Sequence, residues 1–215
     1  MTVKELTVLF YTYAPFLVLL PCMLCLWHYF RSRSLLVKPL VFYFLLAIVV
    51  QAASFTMWLN RMNNLPLLHM YVPAEFIVLT WFFAAVSGRR LRGWRLYLVF
   101  FFLAFSLTES FFIGSVYNFN IFSRSLECIL MIIYSISWYV TYLKEEHATA
   151  ETKSLLYINS AFFIYFTGSV TLFALSRITE KYSFIPAVNI WSFHTFLLVL
   201  LYIVITIGLL KWMRA

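Results

Sequence analysis

Residues 65–87 read LPLLHMYVPAEFIVLTWFFAAVS, an apolar stretch interrupted by one imidazole, His69, and one carboxyl, Glu75. It contains no Lys, Arg or Asp. A helix crosses the hydrocarbon core with roughly 20 mainly apolar residues, so this stretch predicts a membrane span. Working outward, six more segments meet the same requirement, at about 6–30, 38–59, 96–117, 120–143, 154–176 and 185–212. The breaks carry turn or charge signals: RSRSLLVK, NRMNN, SGRRLRGWR, YNFN, LKEEHATAETK and SRITEKYS. All are short, as between sequential antiparallel neighbours. The sequence therefore predicts an all-α membrane protein, a seven-transmembrane-helix bundle forming one integral-membrane domain over residues 1–215. The first segment is too long for a signal peptide and lacks a small-residue cleavage site, so it reads as a retained helix.

Composition agrees. Of 215 residues, 64% are apolar, 21% aromatic and 11% charged, whereas soluble domains average about 45–50% apolar and about 25% charged. With Gly 5, Pro 6 and Cys 3, collagen-like repeats and a disulfide scaffold are excluded. Cys22 and Cys25 form a C-x-x-C in mid-span, where an apolar interior disfavours the thiolate that redox chemistry needs. They and Cys128 read as packing residues.

The net charge of +8 is distributed unevenly. The odd loops and the C-terminus hold Arg31, Arg33, Lys38, Arg89, Arg90, Arg92, Arg95, Lys144, Lys153, Lys211 and Arg214. The N-terminus and the even loops hold Lys4, Arg61, Arg124, Arg177 and Lys181. Cytoplasmic loops carry the excess of Lys and Arg, so the N-terminus is expected outside and the C-terminus in the cytoplasm. Charges in short loops at helix ends are topology signals, and no nucleic-acid partner is expected. Membrane lipids are the expected surroundings.

Three of the eight acids lie inside spans: Glu75, Glu109 and Glu127. An acid in the bilayer normally faces the bundle interior, a cavity or a partner. At 1.5 Å per residue, Glu75 falls roughly 16 Å below the outer end of its helix, and Glu109, Glu127, Gln51 and His194 about 12–13 Å. His69 is shallower, roughly 6–8 Å. Helices of both directions thus deliver polar groups to one layer. Ser123, Arg124 and Glu127 share a face at i+3 and i+4, which allows an Arg124–Glu127 pair. Tyr71 lies one turn above Glu75, and Pro73 between them should free a backbone carbonyl. In the sixth segment Ser160, Thr167, Gly168 and Thr171 form a small-residue stripe that reads as helix packing.

Several readings of this layer stay open. The first is an outward-facing ligand- or ion-binding pocket of a sensor or receptor, built from Glu75, Glu109, Glu127, His69, His194, Gln51, Tyr71 and Arg124, which signals through a separate partner. The second is an intramembrane metal-dependent hydrolase acting on a lipid. Its ligands to zinc or another divalent ion would come from His69, Glu75, Glu109, Glu127 and His194. The third is a structural core in which protonated Glu side chains lock the bundle. A transporter ranks lower, because paired broken helices and a strong inverted repeat are missing from the pattern. A covalent retinal pigment needs a mid-membrane Lys on the seventh helix, and the only Lys there, Lys211, is at its inner end.

Three stretches carry a resemblance. They are NNLPLLHMYVPAEFIVL, with Asn64, His69, Tyr71 and Glu75; LLYINSAFFIYFTGSVTLFAL, with Asn159, Tyr165, Phe166, Thr167 and Gly168; and a final helix with His194 ending GLLKW. From the third to the seventh segment the chain resembles small bacterial seven-transmembrane-helix proteins of unknown function. Such proteins often occur beside sensor histidine kinases, so the resemblance implies the bacterial inner membrane and a kinase or other membrane partner. It departs from that family late in the seventh helix, where Thr206 and Ile207 stand in place of a second Asn.

Overall fold

The computed structural model describes residues 3–87, 92–144, 149–179 and 184–214. The described residues contain helices and connecting turns and no strand. In order these are α1 (Val3–Tyr13), a 3-10 turn (Ala14–Val18), α2 (Leu19–Ser32), α3 (Lys38–Leu59), α4 (Leu65–Ser87), α5 (Arg92–Thr108), a π turn (Glu109–Ile113), α6 (Ile121–Tyr142), α7 (Ala150–Thr179) and α8 (Phe184–Met213). Among the described residues, seven helical stretches are long and apolar enough to cross a membrane. The first, Glu5–Ser32, runs through the 3-10 turn, where Pro15 cannot donate to the α-helical ladder.

The fourth span ends earlier than the apolar run suggests, at Ile113 and not near residue 117. The π turn widens the last helical turn, and extended Gly114 stops it while donating its N–H to the Glu109 carbonyl at 2.8 Å. Arg89, Arg90, Glu145, Glu146, Glu180 and Lys181 lie outside the described residues, as do the side chains of Lys4, Arg92, Arg177 and Asn189.

The chain divides into two compact units, residues 25–127 and residues 1–24 with 128–215. In the first, α3 and α4 pack together with Phe42 against Trp81, ring centres 5.6 Å apart, and Leu40, Tyr43 and Phe44 of α3 and Phe76, Leu79 and Phe83 of α4 are buried. Phe76 of α4 stacks on Phe102 of α5 with ring centres 4.1 Å apart. α3 closes with Arg61 in the left-handed region (φ 55°), its N–H on the Trp58 carbonyl and that of Met62 on the Met57 carbonyl, a Schellman end. Asn63 then ties two loops together. Its Oδ1 accepts from the Leu65 N–H at 2.9 Å and its Nδ2 donates to the Tyr117 carbonyl at 3.2 Å.

In the second unit α7 and α8 lie side by side, and glycine sets their approach. A methyl group on Gly208 would meet the Ser154 carbonyl at 3.1 Å and the Tyr157 Cβ at 3.0 Å; one on Gly168 would press into the Leu197 methyls. Gly168 thus bears out the packing role of its stripe, whereas Thr167 and Thr171 are exposed and Gly208 is a second contact that the stripe did not include. Asn159 of α7 donates to the Ser135 carbonyl at 3.2 Å.

Candidate functional site

Most of the polar residues singled out in the sequence belong to the 25–127 unit, where they form two tiers. The deep tier is built on Arg124. Arg124 and Glu127 stand at i and i+3 on α6, one turn apart on one face, and Arg124 Nη1 donates to Glu127 Oε2 at 2.6 Å. The same nitrogen donates to Oε2 of Glu75, ten residues into α4. Glu75 and Glu127 are 0% exposed and Arg124 5%. The second oxygen of each carboxyl, Oε1, is buried with no hydrogen-bond partner. Two carboxyls therefore share one guanidinium, and each keeps one buried oxygen without a hydrogen bond.

The shallow tier contains Glu109 and His69. Glu109 is not 12 Å down in a continuous helix. It opens the π turn four residues before the end of its span, about 6 Å along the axis. From there its carboxylate reaches the start of α6. Oε1 accepts from the Phe122 N–H at 2.9 Å, and Oε2 from the Ser123 N–H at 2.6 Å and from the Ser123 hydroxyl. The first N–H groups of a helix have no partner within it and attract negative charge. Glu109 is a helix cap supplied from another helix.

His69 binds through both ring nitrogens, Nδ1 to Ser110 Oγ at 2.7 Å and Nε2 to the Asn118 carbonyl at 2.9 Å. A carbonyl only accepts, so Nε2 carries hydrogen. Ser110 Oγ also lies 2.8 Å from the Ser106 carbonyl. Its single hydrogen goes either there, with His69 then charged, or to Nδ1 of a neutral ring. Asn120 donates to the Leu68 carbonyl at 3.2 Å, one residue before His69, whose own carbonyl loses its helical partner because Pro73 has no N–H. Tyr71 and Gln51 are half-buried on α4 and α3; Gln51 joins none of these hydrogen bonds.

The proposed metal ligands do not fit. Among the described residues no group of three or more His, Cys, Asp or Glu could hold a metal ion. His69 spends both nitrogens on Ser110 and Asn118, Glu109 spends both oxygens on α6, and Arg124 already supplies the positive charge beside Glu75 and Glu127. His194 lies in the other unit, with Nε2 3.3 Å from Tyr165 Oη and its ring edge-on to Phe173.

The residues that sequence reasoning missed are Ser110, Asn118 and Asn120. Asn120 stands just before the apolar run of α6, an ordinary N-cap signal, but its side chain is used on α4. Comparison with protein-family models, curated proteins and solved structures finds no match. What fold and site define is a class: a helical protein with seven spans fit to cross a membrane and a sealed Glu–Arg–Glu cluster in one of its units.

Proposed function

We propose that the protein is a sensor-like component of a bacterial inner membrane, and that its stimulus is a proton taken up by the Glu75–Arg124–Glu127 cluster. The observation that carries this reading is the pair of buried, unpartnered Oε1 atoms beside a shared guanidinium. With both carboxyls ionised, the cluster has two negative charges against one positive in a region of low dielectric. Uptake of one positive charge balances it. A proton needs no extra room, which suits a site 0% exposed.

Orientation by the Lys and Arg distribution puts the shallow tier toward the outside, so the occupant would enter past His69 and the 114–120 loop. Occupancy shifts a conformational equilibrium only if it favours one state. The element poised to respond is α6, whose first turn is held by Glu109 and whose second carries Arg124. A separate membrane partner, such as a sensor histidine kinase, would read that shift; the resemblance to bacterial seven-span proteins supports this by association.

The test is the melting temperature of the full-length protein in detergent, followed from mildly acidic to mildly alkaline pH and in sodium against choline salts. Wild type should respond to pH, with Glu127→Gln flattening the response. A sodium response lost in the same variant would overturn the assignment to a proton. Equal pH and salt responses in wild type, Glu75→Gln and Glu127→Gln would overturn the reading and leave a structural polar core.

A further inference from the structure

At the opposite end of the same spans, a groove of about 720 Å³ opens between the Leu35–Leu36 turn, the start of α3, the second half of α4 and the start of α5. Its residues divide by chemistry. Lys38 and Arg95 bring two positive charges, and among the described residues no carboxylate lines the groove. Ile77, Leu96 and Val99 bring hydrocarbon.

The division follows depth. Lys38 and Arg95 are the first and third residues of the spans Lys38–Leu59 and Gly93–Ile113. Ile77 lies ten residues in from Ser87, about 15 Å, and Val99 six in from Gly93, about 9 Å. The Lys38 ammonium leans inward to 5.9 Å from the Trp81 ring centre. Next to Trp81, the Thr80 hydroxyl is buried, with its residue 4% exposed, and has no hydrogen-bond partner. Thr80 is among the residues that line the groove beside Trp81.

We propose that this groove binds one anionic phospholipid. Lys38 and Arg95 hold its phosphate, and an acyl chain runs along Ile77 and Val99. A charged mouth leading to an apolar floor matches an amphiphile, and basic pockets between membrane helices suit phospholipid headgroups. A free phosphate ion would use the mouth alone and leave the hydrocarbon wall unexplained. The site is separate from the Glu75 cluster and does not depend on what that cluster binds.

Native mass spectrometry of the full-length protein, offered phosphatidylglycerol and phosphatidylcholine in detergent, tests this. Wild type should retain phosphatidylglycerol about tenfold more strongly than phosphatidylcholine. The double substitution Lys38→Ala/Arg95→Ala should erase that preference, and Ala85→Phe, which narrows the groove with both cations intact, should lower retention of the lipid. Lys144→Ala/Lys153→Ala, which removes two exposed lysines elsewhere, should change nothing, and excess inorganic phosphate should not displace the lipid. Undiminished preference in Lys38→Ala/Arg95→Ala, an equal loss in Lys144→Ala/Lys153→Ala, or displacement by inorganic phosphate would each overturn the proposal.

Discussion

Glu109 and Glu127 are buried almost equally in the same unit, 4% and 0% exposed, yet their carboxyls are treated in opposite ways. Glu109 places both oxygens on donors at the start of α6. Glu127 places one on Arg124, shares that cation with Glu75, and leaves the other without a partner. A carboxylate at a helix N-terminus completes a structure that would otherwise have unpaired donors. A carboxyl with a spare acceptor in a dry interior weakens the fold unless something binds it. The first arrangement explains itself structurally; the second asks for an occupant.

Substitutions should separate the two. The largest effect is expected from Arg124→Met, which leaves Glu75 and Glu127 facing each other without a cation. Stability should fall by about 3–5 kcal/mol, measured by thermal unfolding in detergent, and adding Glu75→Gln and Glu127→Gln should recover most of it. Glu109→Ala comes next, at about 1–3 kcal/mol, because it strips the first N–H groups of α6 of their acceptor. Its loss should show in hydrogen exchange as weaker protection at residues 122 and 123. Equal costs for Glu109→Ala and Glu109→Gln would argue against the cap, since Gln keeps one acceptor oxygen.

His69→Phe should cost about 1 kcal/mol and loosen exchange protection in residues 114–120 while leaving the response of the deep tier to pH in place. The smallest stability change belongs to Glu127→Gln, under about 1 kcal/mol, because the amide still accepts from Arg124. The contrast within that variant is what matters: little lost in stability, the pH response lost altogether.

The seven spans were legible because membrane crossing imposes one crude requirement, apolar length, and residues 65–87 meet it openly. The end of the fourth span was not, since Val116 and Tyr117 prolong the apolar pattern while the π turn has already ended the helix at Gly114. Within the site, the Arg124–Glu127 pair follows from helical spacing alone. The Arg124–Glu75 pair does not, because it joins residues 49 apart on different helices.

Counting depth put Glu75, Glu109 and Glu127 in one layer, whereas Glu109 lies near the end of its span, and depth cannot tell a cap from a charge cluster. That distinction depends on which helix N-terminus Glu109 meets. His69 shows the same limit from the other side. Its residue type suggested a metal ligand, and its partners turned out to be a serine hydroxyl and a loop carbonyl.

On the proposed reading, the Glu75–Arg124–Glu127 cluster exchanges one proton. Infrared spectroscopy of the protonated-carboxyl stretch in the full-length protein at neutral pH, compared among wild type, Glu75→Gln, Glu127→Gln and Glu109→Gln, tests it most directly. The expected result is a buried protonated-carboxyl band in wild type that survives Glu109→Gln and disappears in each of the other two. A wild-type spectrum without that band, or a band removed only by Glu109→Gln, would contradict the account.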